Sequence, residues 1–188
     1  MKKKIPLTIS LLLVILIVYA LVGFLNNGIG KDAQEIRQTA IKCIELNQTL
    51  SILPGDLSKS NKAVPDNEIS KQNEKIKNEL TKVYSSSSQL LALRIDQMSI
   101  NSQETQRSRV VGGGVKSPRF LSVKINETTA AAIVNATTWS KFTEYLEDGT
   151  SKTFSPENRA KYKINFVKED GDWKVYYINM KFLPGQEP

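Results

Sequence analysis

Histidine is missing from all 188 residues. That absence removes imidazole acid–base chemistry, Ser-His and Cys-His nucleophile activation, and the commonest transition-metal ligand. Cysteine is almost missing too. Cys43 stands alone, so no intramolecular disulfide braces the chain and stability outside a membrane must come from packing. Its neighbours Ile41, Ile44 and Leu46 read Cys43 as a small buried hydrophobe rather than a reactive thiol. No Gly-x-x-x-x-Gly-Lys-Ser/Thr pattern surrounds Gly112, Gly113 and Gly114, so they cradle no phosphate and read as a flexible helix-to-strand connector. The sequence therefore names no catalytic residue, no metal site and no cofactor.

Long hydrophobic runs are scarce as well, with one exception at the N-terminus. After Met1, Lys2, Lys3 and Lys4, no charged side chain occurs from Ile5 to Leu25. As a helix that stretch is about 30 Å long, enough to cross a hydrocarbon core. Ile5, Leu11, Leu12, Leu13, Val14, Ile15, Leu16, Ile17 and Val18 are its membrane-anchor candidates. Pro6 falls in the first turn, where its missing N–H costs least, and Tyr19 and Phe24 lie toward the far interface. The lysine cluster holds the N-terminus in the cytoplasm and places the rest of the chain outside. A cleaved signal peptide shares the basic start, but its apolar core is usually about 7–15 residues. Here the run is longer and no small-x-small cleavage site follows Ala20. Cys43 lies too far beyond the run to be an acylated lipoprotein cysteine.

The length leaves material for one ordinary domain after the anchor. Hydrophobic residues at 40% and charged residues at 24% are those of a chain that folds. The formal net charge is +7, yet Lys2 to Lys4 supply three of those charges. Residues 26–188 carry 23 basic and 19 acidic side chains with the signs interspersed, an ordinary soluble surface, so the basic pI alone is not evidence for nucleic acid.

Residues 1–4 are thus read as a cytoplasmic tail, 5–25 as a transmembrane helix and 26–30 as a polar, glycine-containing hinge. Residues 31–188 form an extracytoplasmic α+β domain, helical over about 31–107 and a sheet over about 116–182. From Asp32, Ala33, Ile36, Ala40, Cys43, Ile44 and Leu50 recur at helical spacing until Pro54 and Gly55 stop them. Ser58 to Asn67 reads as a loop. A second amphipathic helix starts near Pro65 and Asp66 and runs through Ile69, Ile76, Leu80 and Val83. Beyond Ser85 to Ser88 the apolar face resumes at Leu90, Leu91, Ile95 and Met98, by a bend or as a separate helix. The heptad-like pattern breaks too soon for a coiled coil, so packing on a sheet is the expectation.

Strands follow at about Phe120 to Asn126, Thr129 to Tyr145, Arg159 to Lys168 and Trp173 to Phe182. Asn126-Glu127, Asp148-Gly149 and Asp170-Gly171 supply the turns, and Phe154 to Asn158, with Pro156, interrupts the third strand. Helices first and an antiparallel meander afterwards place the helices on one concave face of a bent sheet. Trp139, Phe166, Trp173 and Val175 are its core candidates.

The long strand, the acidic Asp-Gly turn and the stretch Tyr162 to Val175 around Asp170-Gly171 resemble the closing hairpin of the nuclear-transport-factor-like, cystatin-like superfamily. The resemblance implies a curved sheet wrapped round helices, a cone. Joined to a short cytoplasmic tail and a single membrane helix, it implies similarity to the inner-membrane assembly component of type IV secretion and conjugation machines. Partners implied are the lipid bilayer, other proteins of a bacterial envelope complex, and further copies of the chain.

Enzymes of that superfamily place acid and base groups inside the cone, often an Asp with a His or Tyr. With histidine absent, Asp96 between Ile95 and Met98 is the one carboxylate that could face a pocket, and a solvated helix position is its more ordinary reading. The sheet's aromatics read chiefly as core, with a remainder that could line a pocket or partner face. Lys161, Lys163, Lys168, Lys174 and Lys181 lie on the same strands. Aromatics and lysines on a sheet can bind single-stranded nucleic acid, but the acids among them and the common use of edge lysines for solubility speak against it. Three Asn-x-Thr triplets, at Asn47, Asn126 and Asn135, would matter only in a eukaryotic secretory lumen. The Lys-, Asn- and Ile-rich composition is of a bacterial kind.

Overall fold

The structure is a computed structural model and describes residues 28–100 and 107–186. Among them no helix is long and apolar enough to cross a membrane; the run from Ile5 to Leu25 lies outside the described residues.

Helix α1 spans Gly28–Thr49. It begins before the expected start at Asp32, and Gly28 to Gly30, read as hinge, are helical. Asp32 pairs with Lys168 at 3.0 Å, and the Trp173 backbone N–H donates to Glu35 at 3.0 Å, fastening the early part of α1 to the sheet. A 3-10 turn at Gly55–Lys59 precedes α2, Asp66–Val83. Pro65 stands at the N-terminal boundary of α2, its carbonyl accepting from the Glu68 and Ile69 N–H groups, and Asp66 and Glu68 in the first turn complement the helix dipole.

The serine run ends one helix and begins the next. Tyr84 forms a parallel bridge to Val175, and the Ser85 N–H donates to the Val175 carbonyl at 3.0 Å. Ser88 caps α3, Gln89–Met98, by accepting from the Leu90 N–H, and its hydroxyl donates to the Tyr176 carbonyl at 2.6 Å. These contacts turn poor helix formers into a tie between the helices and the sheet.

Five strands follow: β1 Ser108–Asn126, β2 Thr129–Tyr145, β3 Ser151–Phe154, β4 Glu157–Glu169 and β5 Asp172–Phe182. They form one antiparallel sheet in the order β1-β2-β4-β5, with β3 pairing the far end of β2. Asp170 and Gly171 both have positive φ, 53° and 92°, as a tight hairpin turn requires. The sheet starts at Ser108, not near residue 116, because the three glycines belong to β1. They are no connector. A Cβ on Gly113 would lie 2.2 Å from the Gln48 carbonyl oxygen, so this strand admits the end of α1 only where side chains are missing. Pro118 is tolerated because β1 is an edge strand with a register shift between Lys116 and Arg119.

The even residues Ala130 to Thr138 of β2 and Ala160 to Phe166 of β4 turn inward and are buried. Trp173, Val175 and Ile178 of β5 join them. Against this face α1 lays Ile36, Ala40, Cys43 and Ile44, none of them exposed, and α2 adds Ile76 and Leu80. Phe166, Trp173 and Val175 thus sit in the core. Trp139 does not: an odd position in β2, it faces outward, half-buried over Gly112 and Gly114. The architecture is α+β, a bent antiparallel sheet wrapped on helices in the shape of a cone.

Candidate functional site

Because α1 fills the concave side of the sheet, the interior of the cone is core, and only its mouth stays open. There a cavity of about 540 Å³ lies between the end of α1, the end of α3 and the strands β4 and β5. Asn47, Gln48, Arg94, Gln97 and Ser99 give it a polar wall, and Tyr162, Ile178 and Met180 an apolar floor. Arg94 donates from Nη1 to Gln97 at 3.0 Å. Among the described residues, Asn47 Oδ1 and Arg94 Nε are buried without a hydrogen-bond partner. The Ser140 hydroxyl donates to Gln48 at 2.7 Å, and Asn73 holds both backbone groups of Ile100. The mouth could thus hold a small polar molecule. Asp96, the one carboxylate singled out from the sequence, is exposed on α3 and does not line this cavity.

Below the mouth, the Cys43 thiol donates to the Tyr84 hydroxyl at 3.3 Å. Burial pushes the thiol up to about 11 and raises the Tyr84 phenol well above its usual range. Both groups stay protonated, which suits a packed interior and not a nucleophile. Tyr162 is likewise raised by burial. Among the described residues no cluster of three metal-ligating side chains exists.

The second open surface is the outer face of the sheet. The period of two that buries the inner residues sends Arg159, Lys161 and Lys163 of β4 outward. Strand pairing sets Arg119 of β1, Asn135 of β2, Lys161 and Lys181 of β5 side by side in one row. The next rows bring Lys163 beside Asn179, and Lys124, Ala131, Asn165 and Tyr177 together. Lys116 and Lys141 flank Trp139, the lysine amine of Lys116 lying 5.6 Å from the ring centroid. Glu157 is the carboxylate of this area, and it pairs with Lys116. Among the described residues none of Arg119, Arg159, Lys161, Lys163 and Lys181 is in an ion pair.

The five lysines that sequence reading grouped together therefore divide. Lys168 turns inward to Asp32 and the Trp173 ring. Lys174 donates to the Lys82 carbonyl at the end of α2, where a cation suits the helix dipole. Lys161, Lys163 and Lys181 remain on the outer face. The acids near them in sequence, Glu169, Asp170 and Asp172, collect at the hairpin tip, where the Ser86 hydroxyl and N–H hold the Glu169 carboxyl below its usual range. Charges that alternate along the chain are segregated in space.

Edge strand β5 is half covered. The Tyr84–Ser88 stretch bonds to the carbonyls of Val175 and Tyr176, and beyond them Tyr177, Asn179, Met180 and Lys181 are exposed.

No protein-family model matches the sequence, and no curated protein matches it. Several solved structures are similar. The intermembrane-space region of chloroplast protein ARC6 is 14% identical, with 81% of this chain and 98% of that one covered and a TM-score of 0.47. CagV, a VirB8 homolog of the type IV secretion system of Helicobacter pylori, is 13% identical, with 78% and 98% covered and a TM-score of 0.41. An Ntf2-like protein involved in plasmid conjugation is 11% identical, with 81% of this chain and 52% of that one covered and a TM-score of 0.39. Likenesses of this depth carry neither residues nor activity across to this chain.

Proposed function

We propose that the chain is a non-enzymatic, membrane-anchored assembly protein whose cone contacts other proteins of a bacterial envelope complex. The observation that carries this reading is the filled interior. α1 occupies the concave face with fully buried Ile36, Cys43 and Ile44, so the surface offered to protein partners lies outside the core, at the open part of β5. In this reading residues 1–4 are a cytoplasmic tail, 5–25 a single span and 31–188 the extracytoplasmic domain. The anchor confines the cone to a plane and raises its effective concentration toward partners and toward other copies. The finer assignment, to the inner-membrane assembly component of a conjugation or type IV secretion machine, is supported by that order of tail, span and cone.

A second reading is favoured by the mouth. The unpartnered Asn47 Oδ1 and Arg94 Nε beside the cavity suit a pocket-binding or weakly catalytic cone. Complementation of a gene deletion separates the two. Assembly requires that a form without residues 1–25 fail and that Asp96→Asn and Arg94→Gln, if folded and correctly placed, restore transfer or complex formation. An active anchorless form together with an inactive, folded Arg94→Gln protein overturns the assembly reading in favour of the pocket. Topology is tested separately: protease added to intact protoplasts removes the domain, and a reporter fused after Pro188 is active outside the cytoplasm. A fully protected C-terminus refutes the orientation.

A further inference from the structure

We propose that the outer face of the sheet is a docking surface for single-stranded nucleic acid, bound without base specificity. The first support is charge. Arg159, Lys161 and Lys163 alternate along β4 at steps of about 6.8 Å, two residues of extended strand, a step close to the phosphate repeat of an extended single strand. Lys181 lies one strand away from Lys161 on one side, and Arg119 two strands away on the other. The cations thus form a band across the sheet about 15 Å wide at the strand spacing. A band of unpaired cations in high dielectric gains little by itself, but a polyanion that neutralises it releases condensed counterions, which is favourable at low salt.

The second support is what lies between the cations. Asn165 and Asn179 are exposed on the face, and amides both donate and accept. Tyr177, paired with Asn165 at the end of the band, is 46% exposed and offers a ring for a base to stack on. A bilayer surface would instead favour apolar tips standing among the lysines, and a protein partner an apolar centre. Inside the band Ile133 is half-buried and Ala131 is exposed but small, while Trp139 lies half-buried beyond it beside Lys116. Amides, an exposed ring and evenly spaced cations fit a strand of nucleotides better than either.

The test uses the full chain in non-ionic detergent and a labelled oligodeoxythymidylate of about 20 nucleotides, longer than one binding site of this kind. Anisotropy should show binding whose log K falls with log salt at a slope near −3, about −0.7 for each of four or five cations engaged. The double variant Lys161→Gln, Lys163→Gln should bind on the order of tenfold or more weakly at low salt and reduce the slope by about 1.4. Removing the same charge elsewhere, Lys75→Gln with Lys77→Gln on the exposed side of α2, should change neither. Tyr177→Ala should weaken binding without changing the slope. Melting curves of each variant check that it folds. The proposal is overturned if the oligonucleotide does not bind or if the double variant binds as wild type. It is overturned also if heparin, which lacks bases, competes equally and Tyr177→Ala has no effect, a result marking a general polyanion site. Displacement of the oligonucleotide from these lysines by mixed micelles of phosphatidylglycerol would replace it with a lipid surface.

Discussion

Replacing Gly113 with alanine adds one methyl group, and the surroundings of that methyl group decide how much stability is lost. An ideal Cβ at Gly113 lies 2.2 Å from the Gln48 carbonyl oxygen and 2.9 Å from its carbon, whereas ordinary contacts are near 3.5 Å. The obstruction is backbone, so no rotamer change relieves it. The end of α1 must lift from β1 by about 1 Å, by the difference between those distances. It is not free to lift: Ser140 bonds the Gln48 side chain, and buried Gln72 donates to the Leu50 carbonyl at 2.7 Å. Overpacking of this kind costs about 1–3 kcal/mol or more, and the lower entropy of an unfolded alanine chain returns about 0.4–1 kcal/mol. The net loss should be about 2 kcal/mol, a fall in Tm of about 4–8 °C for a domain of this size. Gly112→Ala is the matched control, because its Cβ meets nothing nearer than the Trp139 ring at 3.4 Å. It should melt at or slightly above wild type. Tryptophan fluorescence of the full chain in non-ionic detergent reads both. If Gly113→Ala melts at or above wild type, or if the two variants lose equally, the close approach of α1 to β1 is refuted and the glycines are a connector after all.

Trp173 is 1% exposed at the start of β5, and Trp173→Ala should cost about 3–5 kcal/mol; an unchanged denaturation curve would contradict its place in the core. Cys43, buried with its thiol raised to about 11, should resist a disulfide reagent at pH 8 until the protein unfolds, and fast reaction in native buffer would contradict its burial. The Asp32 carboxyl is held below its ordinary 3.8 by the Trp173 indole and Lys168. A lowered folded-state pKa contributes stability that is present above the unfolded value and lost as pH falls through the folded one. Below about pH 4, then, wild type should lose stability more steeply than Asp32→Asn, and parallel acid limbs would exclude that contribution.

Local pattern was enough for most of the elements. The period of α1 and α2, the extent of β2 and the Asp148-Gly149 and Asp170-Gly171 turns are all readable from neighbours in sequence, since helix and strand periods and turn chemistry act over a few residues. Pro156 marked the break between β3 and β4 for the same reason. The exposed position of Asp96 was also legible, as the ordinary fate of a charged residue on a short helix.

Tertiary contact decided the rest. Gly112, Gly113 and Gly114 have a connector's composition, and only the end of α1 against Gly113 and Trp139 over its neighbours make them strand. Trp139 is as apolar as Trp173, but its parity in β2 faces it away from α1, and no local signal says which face of a strand a distant helix will cover. Asn47 and Arg94 come together at the mouth from separate helices, with nothing near either to mark the pair. The lysines and acids of β4 and β5 are mixed along the chain, yet the pleat sends Lys161 and Lys163 to one face while the turn carries Asp170 and Asp172 to the tip. Local sequence could decide where strands begin and end because that depends on adjacent residues. Which charges share a face depends on register and on which side the helices pack, and those are settled by residues far apart in the chain.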